Sequence, residues 1–275
     1  MIATYGHGTH NDFFIFFDPE DKLNLTSSQI AAICDRDSGA GAEIPGESRV
    51  GADGIIRITR SDSGKWFMDY RNSDGSLAEM CGNGIRVMAR YLVAHNHQSE
   101  GIFAIETRAG IKHLRVPADD DISVNLGKVF DEGETVTASV NGATYRGMNI
   151  DVGNPHAVVF IDDLSHLGSL ADSPVVEPAS SYPEGVNVEF VQLLPNNEAK
   201  MRVHERGSGE TQSCGTGTCA VALAATIKQG ESLPSRWVIY PPGGRLVVDI
   251  DGHSNATLTG PAILVADYDV SGFLK

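Results

Sequence analysis

Short apolar or alternating runs bounded by Gly, Asp, Asn or Pro predict strands at 13–17, 54–60, 66–71, 102–107, 157–161, 186–194, 237–240 and 246–250. Helices are scarcer. Residues 27–34 follow a Thr/Ser cap, and two further helices are expected after Cys81 and Cys214. These last two are apolar nearly all round. Between Cys219 and Ala225 the thiol is the only polar group, and between Ile85 and Val93 the only charges are Arg86 and Arg90. Helices of that kind must be enclosed on most sides.

The pattern restarts once along the chain. The offset that carries Cys81 onto Cys214 also carries Asn72 onto Glu205, and a second landmark recurs as Asn11 and Asn154, each ahead of an apolar run. The acidic stretch 119–121 separates the two copies. The expected fold is α/β of the α+β type. It has two pseudo-symmetric halves, 1–121 and 122–275, each a curved, mostly antiparallel sheet around one central helix. Residues 262–275 are expected as a closing strand able to pack back onto the first half. Both helix N-termini are expected at a cleft between the halves.

Composition narrows the function. With 41% hydrophobic and 21% charged residues the 275-residue chain is ordinary globular material. Its 21 Lys and Arg stand against 36 Asp and Glu, a formal charge of -15, which argues against nucleic acid or anionic membrane partners. The N-terminus shows neither a signal peptide pattern nor a spanning stretch. Cys34, Cys81, Cys214 and Cys219 do not read as a disulfide framework in a chain of this length, so reduced thiols in the cytoplasm are expected.

The two glycine-flanked cysteines carry the chemistry. A thiol at a helix N-terminus meets the positive end of the macrodipole and unpaired N–H groups, which favour the thiolate and can also hold a carboxylate. Two such thiols suit proton transfer on opposite faces of a carbon next to a carboxylate. A thiol pKa lies more than about ten units below that of such a C–H, leaving over ~14 kcal/mol uphill unless the carbanion is stabilised. The sequence offers no cofactor motif and no metal site: His7 and His10, or His95 and His97, lack companions at ligand spacing. Stabilisation is therefore expected from the backbone amides of Gly82, Asn83, Gly215 and Thr216. Cys34 and Cys219 read as small buried hydrophobes.

Several segments bear a family resemblance: GTHNDF (8–13), DYRNSDGSLAEMCGNG (69–84), DVGNPHAVVF (151–160), GVNVEF (185–190), MRVHERGSGETQSCGTGT (201–218) and PPGGRLVV (241–248). Together and in this order they resemble diaminopimelate epimerase. The resemblance implies cofactor-independent interconversion of LL- and meso-diaminopimelate in lysine biosynthesis, on a pseudo-symmetric fold that often forms a homodimer.

It further implies that Asn11, Asn72, Asn154 and Asn187 contact substrate and that Arg206 pairs with a distal carboxylate. His156 and Glu205 are placed beside the thiols, where they could orient the substrate ammonium group or tune the cysteines. Many family members carry glutamine after Gly-Ala-Asp, where this chain has Gly54.

Three alternatives remain. A proline or hydroxyproline racemase shares CGTGT, but Asn83 stands where those relatives favour histidine. A thiol redox protein would want its cysteines in C-x-x-C spacing. A non-catalytic amino-acid binding module would have no use for both thiols.

Overall fold

A computed structural model describes residues 1–41 and 50–274 and divides the chain into two compact units, Met1–Val124 with Pro261–Lys275, and Asn125–Gly260. In the first unit β1 (Ile2–Gly8), β2 (Asn11–Phe17), α1 (Ser27–Cys34), β3 (Gly54–Arg60) and β4 (Trp66–Asn72) lead to α2 (Gly82–Ala94), followed by β5 (Gly101–Thr107), β6 (Gly110–Val116) and the start of β7 (Ile122–Lys128). The second unit runs through β8 (Phe130–Val140), β9 (Ala143–Asp151), β10 (Pro155–Phe160), β11 (Val175–Glu177), β12 (Asn187–Leu194), β13 (Glu198–Glu205) and β14 (Gly209–Thr211) to α3 (Gly215–Lys228). It ends with β15 (Ser235–Tyr240), β16 (Leu246–Ile250) and β17 (Asn255–Gly260); β18 (Ile263–Asp269) returns to pair antiparallel with β1 of the first unit.

The internal repeat is visible in the strand pairings. In the first unit β1 and β2 are antiparallel, β2 and β3 parallel, β3 and β4 antiparallel; after α2, β5 runs parallel to β4 and antiparallel to β6. In the second, β9 and β10 are antiparallel, β10 and β12 parallel, β12 and β13 antiparallel; after α3, β15 runs parallel to β13 and antiparallel to β16. Each unit thus places its long apolar helix after the same hairpin, with the short β14 intervening in the second unit.

Burial explains why these helices lack a polar face. Cys219 through Ala225 are all buried, as are Ile85 through Ala89. Strand β2 shows the same logic: Phe13, Phe14, Ile15 and Phe16 are inaccessible. Phe14 and Phe16 pack with Ile30 and Ile33 of α1, while Phe13 approaches the first turn of α2 at Gly84. A strand covered on both faces loses its alternation and reads as a continuous apolar run. Helix α1 starts with a reciprocal cap, in which Gln29 N donates to Thr26 Oγ1 at 3.3 Å and Thr26 N to Gln29 Oε1 at 3.0 Å. Among the described residues no helix is long and apolar enough to cross a membrane.

Candidate active site

Cys81 is the N-cap of α2 and Cys214 the N-cap of α3, both in extended backbone conformation. Each sulfur accepts the N–H three residues on, from Gly84 and from Gly217, both at 3.4 Å. The intrahelical ladder begins only at Ile85 N to Cys81 O and Thr218 N to Cys214 O, both 2.9 Å. The amides of Gly82 and Asn83, and of Gly215 and Thr216, therefore belong to the unladdered first turns, where an anionic group is best received.

Around Cys81 two of the expected side chains meet, those of Asn11 and Asn83. Cys81 Sγ donates to Asn11 Oδ1 at 3.3 Å, and Asn83 Nδ2 donates to the same oxygen at 3.3 Å. Asn11 Nδ2 donates to Asp53 Oδ2 at 2.6 Å. Asp53 in turn meets Arg36, whose guanidinium holds buried Asp12 through two bonds of 2.9 and 2.6 Å. Burial pushes Asp53 up, and the charge of Asp12 adds to it; for Asp12 burial also pushes upward, but Arg36, the Tyr5 hydroxyl and the Asp53 N–H together hold it below its usual range. Asn72 engages differently, closing the turn after β4 by donating to Ser76 Oγ at 3.0 Å.

In the second unit, His156 and Glu189 are completely buried, with Nδ1 and Oε1 2.7 Å apart; His156 Nε2 lies 3.1 Å from Asn154 Oδ1. Asn187 pairs with His156 across β10 and β12, and its Oδ1 accepts from Arg206 N at 2.9 Å. Arg206 Nη1 donates to the Glu184 carbonyl at 3.2 Å, and Glu205 accepts from the Thr211 hydroxyl. Cys214 Sγ is 3.6 Å from Thr216 Oγ1.

One expectation needs correction. The helix end alone predicts an easily ionised thiol at Cys214, yet the thiol is pushed well above its ordinary value. Burial is the largest cause, followed by the charges of Glu205 and Glu189; the Thr216 hydroxyl and the Gly217 amide oppose them without prevailing. Cys214 in the empty site thus keeps its proton.

Glu189, Asp53, Arg36 and Arg86 were not singled out by sequence reasoning. Arg86 is fully buried on α2 and donates to Gly82 O and Asn83 Oδ1, both at 3.0 Å. A hint for Glu189 was its charge in the otherwise apolar run Val188 to Val191. Gly54 pairs with Asn72, and a β-carbon there would run into the Arg71 carbonyl, so the β3 and β4 pairing as built leaves no room for a side chain. Among the described residues no group of three or more His, Cys, Asp or Glu is placed to hold a metal ion.

The fold and the paired caps define a class. The structure resembles that of a Bacillus anthracis phenazine biosynthesis protein of the PhzF family (TM-score 0.72, 13% identity, 97% of each chain covered). It also resembles a hydroxyproline epimerase from Agrobacterium vitis (TM-score 0.68, 14% identity, 97% and 91% covered). At such identities the likeness concerns the fold. Sequence goes further. The diaminopimelate epimerase family model matches residues 3–130 and 148–265. The diaminopimelate epimerase of Streptomyces coelicolor is 43% identical, over 95% of this chain and 92% of its own. That of Rhodococcus jostii is 41% identical, over 97% and 96%. The chain belongs to the diaminopimelate epimerase family and is an isomerase.

Proposed function

We propose that the protein interconverts LL- and meso-diaminopimelate by passing protons between the α-carbon and two thiols, Cys81 and Cys214. The observation that carries this reading is their matched capping: each sulfur opens a buried helix and accepts the amide three residues on at 3.4 Å.

One thiolate takes the α-proton while the other thiol delivers its own to the opposite face. One C–H bond breaks and another forms, and the two sulfurs exchange protonation states. The electron pair left on the α-carbon delocalises into the carboxylate, which the first-turn amides of Gly82, Asn83, Gly215 and Thr216 receive as its charge grows. Asn11, Asn72, Asn154 and Asn187 hold substrate polar groups, and Arg206 takes the distal carboxylate bidentately. A site built for two carboxylates rejects a substrate lacking one, because its polar groups are then left unmatched.

His156 and Glu205 orient the α-ammonium group. An ammonium beside Glu205 also offsets a charge that raises Cys214, so substrate binding prepares that thiol to ionise. The reading requires both sulfurs to reach one stereocentre. It carries with it the family's expectation of a cytoplasmic homodimer.

The test is incubation with LL-diaminopimelate in D2O. Meso product with deuterium at one α-carbon is expected, and its near-complete loss in Cys81→Ala and in Cys214→Ala. Turnover retained in either variant removes that cysteine from its role. Turnover of 4-hydroxyproline instead would move the protein to the racemase reading.

A further inference from the structure

The side-chain amides beside Cys81 are fixed in orientation by charges at both ends. A guanidinium can only donate and a carboxylate can only accept. Arg86 Nη2 donates to Asn83 Oδ1 at 3.0 Å, which turns Asn83 Nδ2 toward Asn11. Asp53 Oδ2 accepts from Asn11 Nδ2 at 2.6 Å, which turns Asn11 Oδ1 the other way, toward Asn83 Nδ2 and Cys81 Sγ. Two amide dipoles thus run head to tail from a buried cation to a carboxylate. Asp53 is itself fixed: Arg36 binds it, and its N–H donates to Asp12 Oδ1 at 2.9 Å.

We propose that Asp53 and Arg86 are positioning residues that lock Asn11 as a hydrogen-bond acceptor for Cys81, so that this sulfur rests as a thiol. A reversed Asn11 amide would present N–H to the sulfur and favour the thiolate instead. The lock therefore sets which protonation state the first-unit sulfur holds before substrate arrives. Among the described residues, the charged and titratable groups around it include Asp53, Arg36 and Asp12, with Tyr5 hydrogen-bonded to Asp12, Arg86 from α2, and His7 at the end of β1 stacked on His10 in the turn before Asn11. The inference rests on the catalytic reading of Cys81 for its significance, but its test reads the sulfur directly and stands whether or not that thiol proves catalytic.

The experiment is site-resolved iodoacetamide alkylation of the full-length protein across pH, with peptide mass mapping of Cys81. In Asp53→Asn the midpoint for Cys81 should fall by about one pH unit, as Asn11 turns its N–H to the sulfur or loses its anchor. Asn11→Leu, which removes the acceptor, should lower it by a similar amount. Adding Asp53→Asn to Asn11→Leu should then shift it by less than roughly 0.3 unit, since coupled residues do not add. An equal shift in both backgrounds would mean that the charge of Asp53 acts on the sulfur directly, and would overturn the proposal. So would unchanged midpoints. Should Asp53→Asn fail to fold, Asn11→Leu alone decides, an unaltered midpoint refuting the lock.

Discussion

A β-carbon at position 217 would collide with Oε1 of Glu189, the oxygen that holds His156 Nδ1 at 2.7 Å. The second glycine of CGTG is therefore required by a carboxylate packed beneath the first turn of α3. Gly217→Ala must displace Glu189, His156 or the helix start. Destabilisation of ~1–3 kcal/mol in urea unfolding is expected from overpacking. Because a small misplacement at a reacting centre is felt strongly, kcat should also fall by about tenfold or more. Wild-type stability and turnover in this variant would show that the contact yields freely.

Glu205 is the larger of the two charges that hold the Cys214 proton in place, after burial itself. In Glu205→Gln that charge is gone, so the thiolate becomes accessible at lower pH. The alkylation midpoint of Cys214 should fall by about one pH unit while that of buried Cys34 stays where it was. A midpoint that does not move would leave burial and the charge of Glu189 as the causes. Turnover should drop in the same variant through loss of the ammonium contact, so the two readouts separate tuning from binding.

The two caps were legible because a glycine-rich stop ahead of an all-apolar run has few other meanings. Cys81, Cys214, Asn11 and Asn83 could be named from that pattern and the motif resemblance. The electrostatics were not legible. A helix-end argument is local to residues 214–217, whereas Glu189 and Glu205 reach Cys214 from β12 and β13, whose placement no spacing rule supplies. Glu189 shares one face of β12 with Asn187 and Val191, and the strand pattern alone does not place that face beneath Cys214. Arg86 is one of two charges in an apolar helix and is wholly inaccessible, but the sequence gives no sign of its partner Asn83 Oδ1. The pairing of β8 with β9 escaped for a different reason. The first half of β8 is exposed and acidic, its register slips between Asp131 and Thr135, and only Val136, Ala138 and Val140 reach the core.

Cys34 makes the fold sensitive to alkali. Its thiol is pushed up to about 12 from 9.0, by burial first, with Arg36 opposing and Asp12 and Asp53 adding. A raised folded-state pKa means that the unfolded chain ionises first. The contribution is intact below pH 9 and is lost progressively as pH rises toward 12. Urea unfolding at pH 8 and at pH 10.5 should show a decline that shrinks by on the order of 2 kcal/mol in Cys34→Val, which has no proton to lose. An identical decline in both proteins would assign the alkaline loss to other groups.

The far end of α3 is anchored by a different buried bond. Trp237 Nε1 donates to Thr226 Oγ1 at 2.9 Å, and that hydroxyl also donates to Ala222 O at 2.8 Å. Both side chains are inaccessible, so Thr226→Val, close in shape but without an oxygen, strands the indole N–H in the core. Leaving a buried donor unmatched costs about 1–3 kcal/mol. The variant should unfold at correspondingly lower urea with altered tryptophan fluorescence. Thr226 lies three turns from Cys214 along the helix, so kcat at a temperature well below the transition should stay near wild type. A matching collapse of kcat in folded Thr226→Val would mean that the thiol's position depends on the whole length of α3 and not on its first turn.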